Sequence, residues 1–389
     1  MIGRLLALVA FVWAAPAPAQ QDVHIAYLAV ADDPYYEAQP VYTGLSLKDH
    51  NRPIDGARLA IKNARAIGRA LGFRILLDEY LLPPDEDAAA VAAQLAEQGA
   101  IAILLDLPAP VMDHVLAQAE TVPTLFNIRH VADRYRGGEC NAALLHTIPS
   151  RAMLTDALAQ YLRYQRWTSV LVLRGSESDD DQEVSAVRTS ASKFGLSVVG
   201  EHVFALSNDP RQRDLTNILL MTQQERYDVI WLVDAAGEFG RYVPYATAEP
   251  RPVVGSEGLV ARAWHWTWER NGAPQLNQRF SKLAGRDMTA EDWAAWVAVQ
   301  TVIEALARAK AATPQAVGHM LRSADLSVDQ YKGVRGNFRA WDGQLRQPIL
   351  LTTHNATIAS APLDGFDHQA DRLDTLGADR PESACLQLK

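Results

Sequence analysis

Short apolar runs rich in β-branched residues punctuate the first third of this chain: VHIAYLAV (23–30), FRILLDEY (73–80), AIAILLDL (100–107) and PTLFNI (123–128). Between them lie longer Ala-rich segments whose apolar residues recur at helical spacing. PIDGARLAIKNARAIGRALG (53–72) predicts a helix stopped by Gly72, another helix is predicted from about Glu86 to Gln98, and a third follows Pro108, a residue suited to a first helical turn. A second set repeats the pattern: a helix at 151–165, SVLVLRG (169–175), a helix at 181–194, LSVVGEHVFAL (196–206), a helix at 211–224, YDVIWLVD (227–234) and RPVVGSEG (251–258). Strands that alternate with helices and lack a polar face belong in parallel sheets covered on both sides. The chain therefore reads as two α/β lobes, each a mainly parallel sheet flanked by helices.

Beyond residue 260 the pattern changes. AWHWTWE (263–269) places Trp264, Trp266 and Trp268 on one face if extended, a pattern expected for core packing. A long helix at 289–311 opens with Thr289 and Asp292 in capping-box spacing. GVRGNFRAWDGQLRQPILLTTH (333–354) predicts two strands around a turn at Asp342-Gly343.

The N-terminus reads as a secretory signal peptide over residues 1–19: Arg4, an apolar run from Leu5 to Ala15, then Ala17-Pro18-Ala19. Its removal takes the net charge from -9 to -10, which argues against a nucleic acid or an anionic membrane surface as the partner. About 370 residues then remain, more than one core usually serves. Two cysteines, Cys140 and Cys385, stand without metal-ligand spacing and read as one disulfide, the alternative being two buried thiols. No GxSxG, HExxH, GxxxxGK[ST] or GxGxxG motif occurs, so no enzyme is expected and no cofactor is called for.

In open parallel sheets, ligands sit beyond the carboxyl ends of the strands. The residues there are Asp32 and Asp33, Asp78 and Glu79, Asp106 followed by Pro108, and Asn127 with Arg129 in the first lobe. In the second they are Arg174 with the acidic run that contains Asp180, then Asp234 and Glu257. Carboxylates converging from both lobes suit a hard cation or a metal-bearing solute. Arg129, Arg174 and Arg241 instead suit the carboxylates of an anionic chelate. The simplest alternative is that acids after strands cap helices. The connection ADDPYYEAQPVYTGLSLKDHNR (31–52) far exceeds the usual two to six residues, and its Tyr35, Tyr36 and Tyr42 could wall a flat or bulky solute.

The order of elements resembles that of type I periplasmic solute-binding proteins of the leucine/isoleucine/valine-binding family. The resemblance is carried by PIDGARLAIKNA (53–64), AILLDLPAPVMDHVLAQAETVPTLFNI (102–128), DWAAWVAVQTVIEALARA (292–309) and VRGNFRAWDGQLRQPILL (334–351). YTGLSLKDHNRPIDGARLAIKNARAIG (42–68) is similar, more narrowly, to the branch associated with PQQ-dependent alcohol dehydrogenase systems and lanthanide use. The resemblance implies a two-lobed fold with three hinge crossings, lobes at 22–148 plus 260–340 and at 149–259 plus 341–389, and a monomer in the periplasm. It also implies a small-molecule ligand delivered to an ABC transporter permease, and the narrower resemblance implies a metal-bearing or PQQ-related one. A ligand-sensing module that signals to a membrane receptor, or an amino-acid binding protein, is the alternative. LDLPAP (105–110) departs from the family pattern: Asp106 would repel an amino-acid carboxylate, and Pro108 removes a backbone donor.

Overall fold

The computed structural model describes residues 20–38, 40–47, 50–119, 123–206 and 209–385. The segment expected to be a signal peptide lies outside the described residues. Among the described residues, no helix is long and apolar enough to cross a membrane.

The first lobe is built from β1 (Gln21–Val30), α1 (Ile54–Leu71), β2 (Phe73–Leu82), α2 (Ala88–Glu97), β3 (Ala100–Asp106), α3 (Ala109–Ala117), β4 (Thr124–Asn127) and β5 (Leu144–His146). The strands are parallel in the order β2-β1-β3-β4-β5. All seven residues of β3 are buried, as a central strand covered on both faces requires. Gly72 ends α1 in a left-handed conformation, φ 80°, with its N–H donating to Arg69 and Gly68 carbonyls. β2 runs on to Leu82, so Asp78 and Glu79 lie inside the strand rather than past its end. There they pair with His24 and Arg58, away from the carboxyl edge.

The second lobe contains α4 (Arg151–Gln165), β6 (Ser169–Arg174), α5 (Ser178–Lys193), β7 (Ser197–Val203), α6 (Ile218–Thr222), β8 (Val229–Val233), α7 (Val243–Ala246) and β9 (Val253–Gly255). Its parallel sheet has the order β7-β6-β8-β9. α5 begins three residues before the expected start because Glu177 and Asp180 form a reciprocal capping box. The helix expected over 211–224 is instead a 3-10 segment, Pro210–Thr216, followed by the short α6. Asn217 separates them, its side chain accepting from the Leu220 N–H and so starting a new helix.

β10 (Val260–Arg262), α8 (Ala273–Ala284), α9 (Ala290–Ala309), α10 (Pro314–Leu321), β11 (Val328–Asp329), β12 (Arg335–Gly336), β13 (Ile349–Thr352) and β14 (Thr357–Ala361) complete the molecule. α9 has the expected capping box of Thr289 and Asp292 and packs across α1 so closely that a Cβ on Gly56 would lie 1.9 Å from the Asp292 carbonyl oxygen. Trp264 and Trp268 are buried, Trp264 stacking on Trp293. Trp266 is exposed, because a turn at 266–267 replaces the extended run. The Asp342-Gly343 turn forms, with Gly343 at φ 68°, and its arms pair antiparallel over a short stretch: the Arg339 N–H donates to the Gln344 carbonyl and the Arg346 N–H to the Asn337 carbonyl. The returning arm also bonds to the end of β5: the His146 N–H donates to Gly343 and the Leu345 N–H to His146.

Ile148, Ala263 and Leu345 belong to one hydrophobic core, whereas Met153, Leu259 and Ile349 belong to another. The chain thus passes between the cores three times, the third passage falling over Leu345–Leu351, where Leu350 still packs on the first core while Ile349 and Leu351 pack on the second. Cys140 and Cys385, 245 residues apart, form a disulfide that ties the tail to the first lobe.

Candidate functional site

In each sheet the strand order reverses beside the first strand, between β1 and β3 and between β6 and β8. The crevice beyond the carboxyl ends at such a point is where a ligand is expected. The two crevices are furnished differently.

In the first lobe, Asp106 ends β3 with no solvent exposure. Its carboxylate accepts from the hydroxyls of Tyr27 on β1 and Tyr36 in the long connection, the latter at 2.5 Å. Arg129 and Arg52 stand 3.5 Å and 3.9 Å away. Burial pushes the Asp106 carboxyl up from the ordinary carboxylate range, against phenol and guanidinium partners that favour its charge. Burial likewise raises Tyr27 and Tyr36, which stay protonated donors. Asp33 is bound by Arg129 and accepts from the Tyr35 N–H, and Arg129 lies over the Tyr35 ring, 4.2 Å from its centre. Arg52 donates to the Val30 and Ala31 carbonyls at the end of β1 and covers the Tyr36 ring. The long connection is therefore riveted to the sheet edge by side chains.

Asn127 lies beside this cluster but uses its whole amide locally. It donates to the His130 carbonyl and His146 Nδ1 and accepts from the Arg129 and His130 N–H groups. Pro108 is half-buried at the start of α3.

In the second lobe the acids serve backbone amides. Buried Asp180 accepts from the Glu177 and Ala235 N–H groups, spanning the β6–β8 crevice. Asp234 accepts from Gly237 and Gly240. Arg174 turns to its own flank, pairing with Asp181 and Glu201. Two charged groups on this edge lack such partners. The Arg241 side chain makes no hydrogen bond or ion pair among the described residues, and its Nε is buried without an acceptor. Glu257, half-buried with its stem beside Gly240, has no polar partner among the described residues either.

Across the gap, the connection of the first lobe reaches the second. Residues 40–46 form a small hairpin closed by the Pro40–Ser46 bridge, with Tyr42 54% exposed at its turn. The Thr43 N–H donates to the Glu238 carboxylate, 3.1 Å away and only 2% exposed. Of the nine residues expected to bind ligand, Asp106 and Arg129 come together on one edge and Asp180, Asp234 and Glu257 on the other. Tyr27, Arg52 and Glu238 were not anticipated. Glu238 follows β8, so the rule that gathered the other candidates would have found it had the search extended four residues past Asp234. The carboxylates do not converge: each of Asp33, Asp106, Asp180 and Asp234 is already held within its own lobe. Among the described residues no group of three or more His, Cys, Asp or Glu is placed to hold a metal ion.

No family model matches the chain, and no curated protein matches it by sequence. Its fold is matched by solved structures. A branched-chain amino acid ABC transporter periplasmic ligand-binding protein from Burkholderia xenovorans superposes with a TM-score of 0.71 at 14% identity, over 94% of this chain and 100% of that one. An ABC transporter substrate-binding protein from Desulfitobacterium hafniense in complex with Leu gives 0.65 at 16% identity, over 87% and 99%. An ABC transporter solute-binding protein from Rhodopseudomonas palustris in complex with benzoate gives 0.61 at 12% identity, over 94% and 99%. At these identities the likeness establishes the fold, the two-lobed type I periplasmic binding protein architecture.

Proposed function

We propose that this protein is the periplasmic substrate-binding component of an ABC importer and captures a small carboxylate-bearing solute between its lobes without altering it. The observation that carries the reading is Arg241: a guanidinium beyond the carboxyl end of β8, lying over the Tyr242 ring, with a buried Nε and no acid within ion-pair distance among the described residues. A buried guanidinium N–H without an acceptor is costly, and a bidentate carboxylate is its best complement. Tyr35, Tyr36 and Tyr42 supply the opposing wall, and the Glu238 contact with Thr43 holds that wall across the opening. Leucine and benzoate, the ligands of two structural neighbours, both carry a carboxylate.

Within this class, a PQQ-related solute or a metal carried by a carboxylate chelate suits the site better than a free metal ion, because the acids of both edges are already engaged. Native mass spectrometry of the exported protein, purified without denaturation, tests the proposal. A bound small acid is expected, retained by the parent and lost from Arg241→Gln. A neutral or cationic passenger, or equal retention in the variant, overturns it. Co-purification with a permease supports the import role over signalling to a receptor.

A further inference from the structure

Apart from the crevice between the lobes, the chain carries a half-open pocket of about 500 Å3 beside the third passage between the cores. Its walls are Arg322 after α10, Asn337, Phe338, Trp341 and Arg346 of the following segment, and Arg380 near the disulfide. A smaller chamber of about 80 Å3 continues inward, sharing Arg322 and Phe338 and bounded by Leu144 and Leu145. The volume lies within the range of small-ligand sites.

Every ionisable residue lining the larger cavity is an arginine, in a protein whose net charge is -9. Arg346 is neutralised: Asp374 binds its Nε and Nη2, and Asn337 accepts from Nη1. The other two are not. Arg322 donates only to neutral oxygens, those of the Thr124 hydroxyl and of the Gly318 and Ala142 carbonyls, at 3.1, 3.2 and 2.6 Å. No carboxylate lies within ion-pair distance of it among the described residues. Arg380 is exposed, and its guanidinium has no partner among the described residues. Between these cations stand two aromatic rings: Phe338 is buried in the first-lobe core, and Trp341 is almost fully buried, its indole N–H bound to the Ala378 carbonyl.

We infer that this cavity is a second ligand site, independent of the one between the lobes, for a small organic anion with a flat apolar body and a carboxylate. Arg322 and Arg380 hold the carboxylate, and Phe338 and Trp341 take the ring. Guanidinium forks match carboxylate geometry, and an unneutralised, half-buried one gains most from it.

Isothermal titration with 1-naphthoate, the uncharged isostere 1-naphthamide and inorganic phosphate tests this on the full exported protein. Naphthoate is expected to bind saturably, with naphthamide and phosphate each at least about tenfold weaker, since one lacks the charge and the other the ring. Arg380→Gln alters an exposed side chain without partners and should fold normally; it is expected to weaken naphthoate about three- to tenfold. Ala340→Leu, at the exposed wall shared by both chambers, should weaken binding several-fold by intruding on the space the ring needs. Arg241→Gln is expected to remove any naphthoate held between the lobes and to leave the Arg380-sensitive binding in place, which separates the two sites. No saturable binding of naphthoate, unaltered affinity in Arg380→Gln and Ala340→Leu, or loss in Arg241→Gln alone would each overturn the inference.

Discussion

The two edges that face one another across the molecule use the same residue type for different ends. On the first lobe, Asp33 and Asp106 are met by side chains: two phenols and two guanidinium groups brought from β1, from the long connection and from the loop after β4. On the second, Asp180 and Asp234 are met by backbone N–H groups of nearby turns. A carboxylate that caps backbone stiffens a turn. One that gathers side chains from distant segments holds a movable wall in place. The first edge is thus assembled and the second preformed, and what the second leaves over is Arg241 and Glu257, which have no polar partner among the described residues.

The sharpest way to break this contrast is to remove the assembling acid. Asp106→Ala strands two phenol donors and leaves Arg52 and Arg129 without their shared neighbour, so denaturant unfolding should show a loss of about 3–5 kcal/mol. A loss under about 1 kcal/mol would mean that the edge holds itself together without Asp106.

Acid should also distinguish the edges. Burial lowers His130, beside the first edge, to about 4 and holds fully buried His146 well below its ordinary range of 6.5. Both are neutral in the folded protein. As pH falls from 6.5 toward 4, the unfolded chain takes up protons that the folded chain refuses, so stability present above pH 6.5 is progressively lost. For His130 the ceiling is about 3.4 kcal/mol, the full shift from 6.5 to about 4 at about 1.36 kcal/mol for each pH step. Chemical denaturation at stepped pH should show this slope, and His130→Gln should reduce it; an unchanged slope would remove His130 as a source.

Smaller effects sharpen the comparison. Asp180→Ala removes a cap and one acceptor for Ala235, a cost of about 1–2 kcal/mol, less than at Asp106. An equal or larger loss in the melting experiment would reverse the ranking of the two edges. Glu238→Ala should cost about 1 kcal/mol or less, yet speed amide hydrogen exchange at Thr43 and its neighbours. Unchanged exchange there would show that the hairpin needs no anchor on the second lobe.

Much of this architecture was legible in the chain itself. The helix at 151–165 lies where its periodicity places it, Thr289 and Asp292 form the cap that their spacing suggests, and the cysteines pair. Local rules sufficed there, because periodicity and capping depend on neighbours a few residues away. The site was harder to see. Asp106 finds its phenols 79 and 70 residues back along the chain, and no local spacing announces that meeting. Asp78 and Glu79 were misplaced because β2 extends two residues beyond its expected end, whereas the hairpin at 342–343 forms as its turn residues suggest and adds a contact with His146 that no local pattern announces.

Whether the two halves close on a guest is decided most directly by small-angle X-ray scattering of the full protein, stripped of solute by unfolding and refolding, before and after the acid released by heating the native protein is restored. A smaller radius of gyration with the acid present, and no such change in Arg241→Gln, is the expected result. An identical profile in both states, with binding verified on the same sample, would contradict capture by closure.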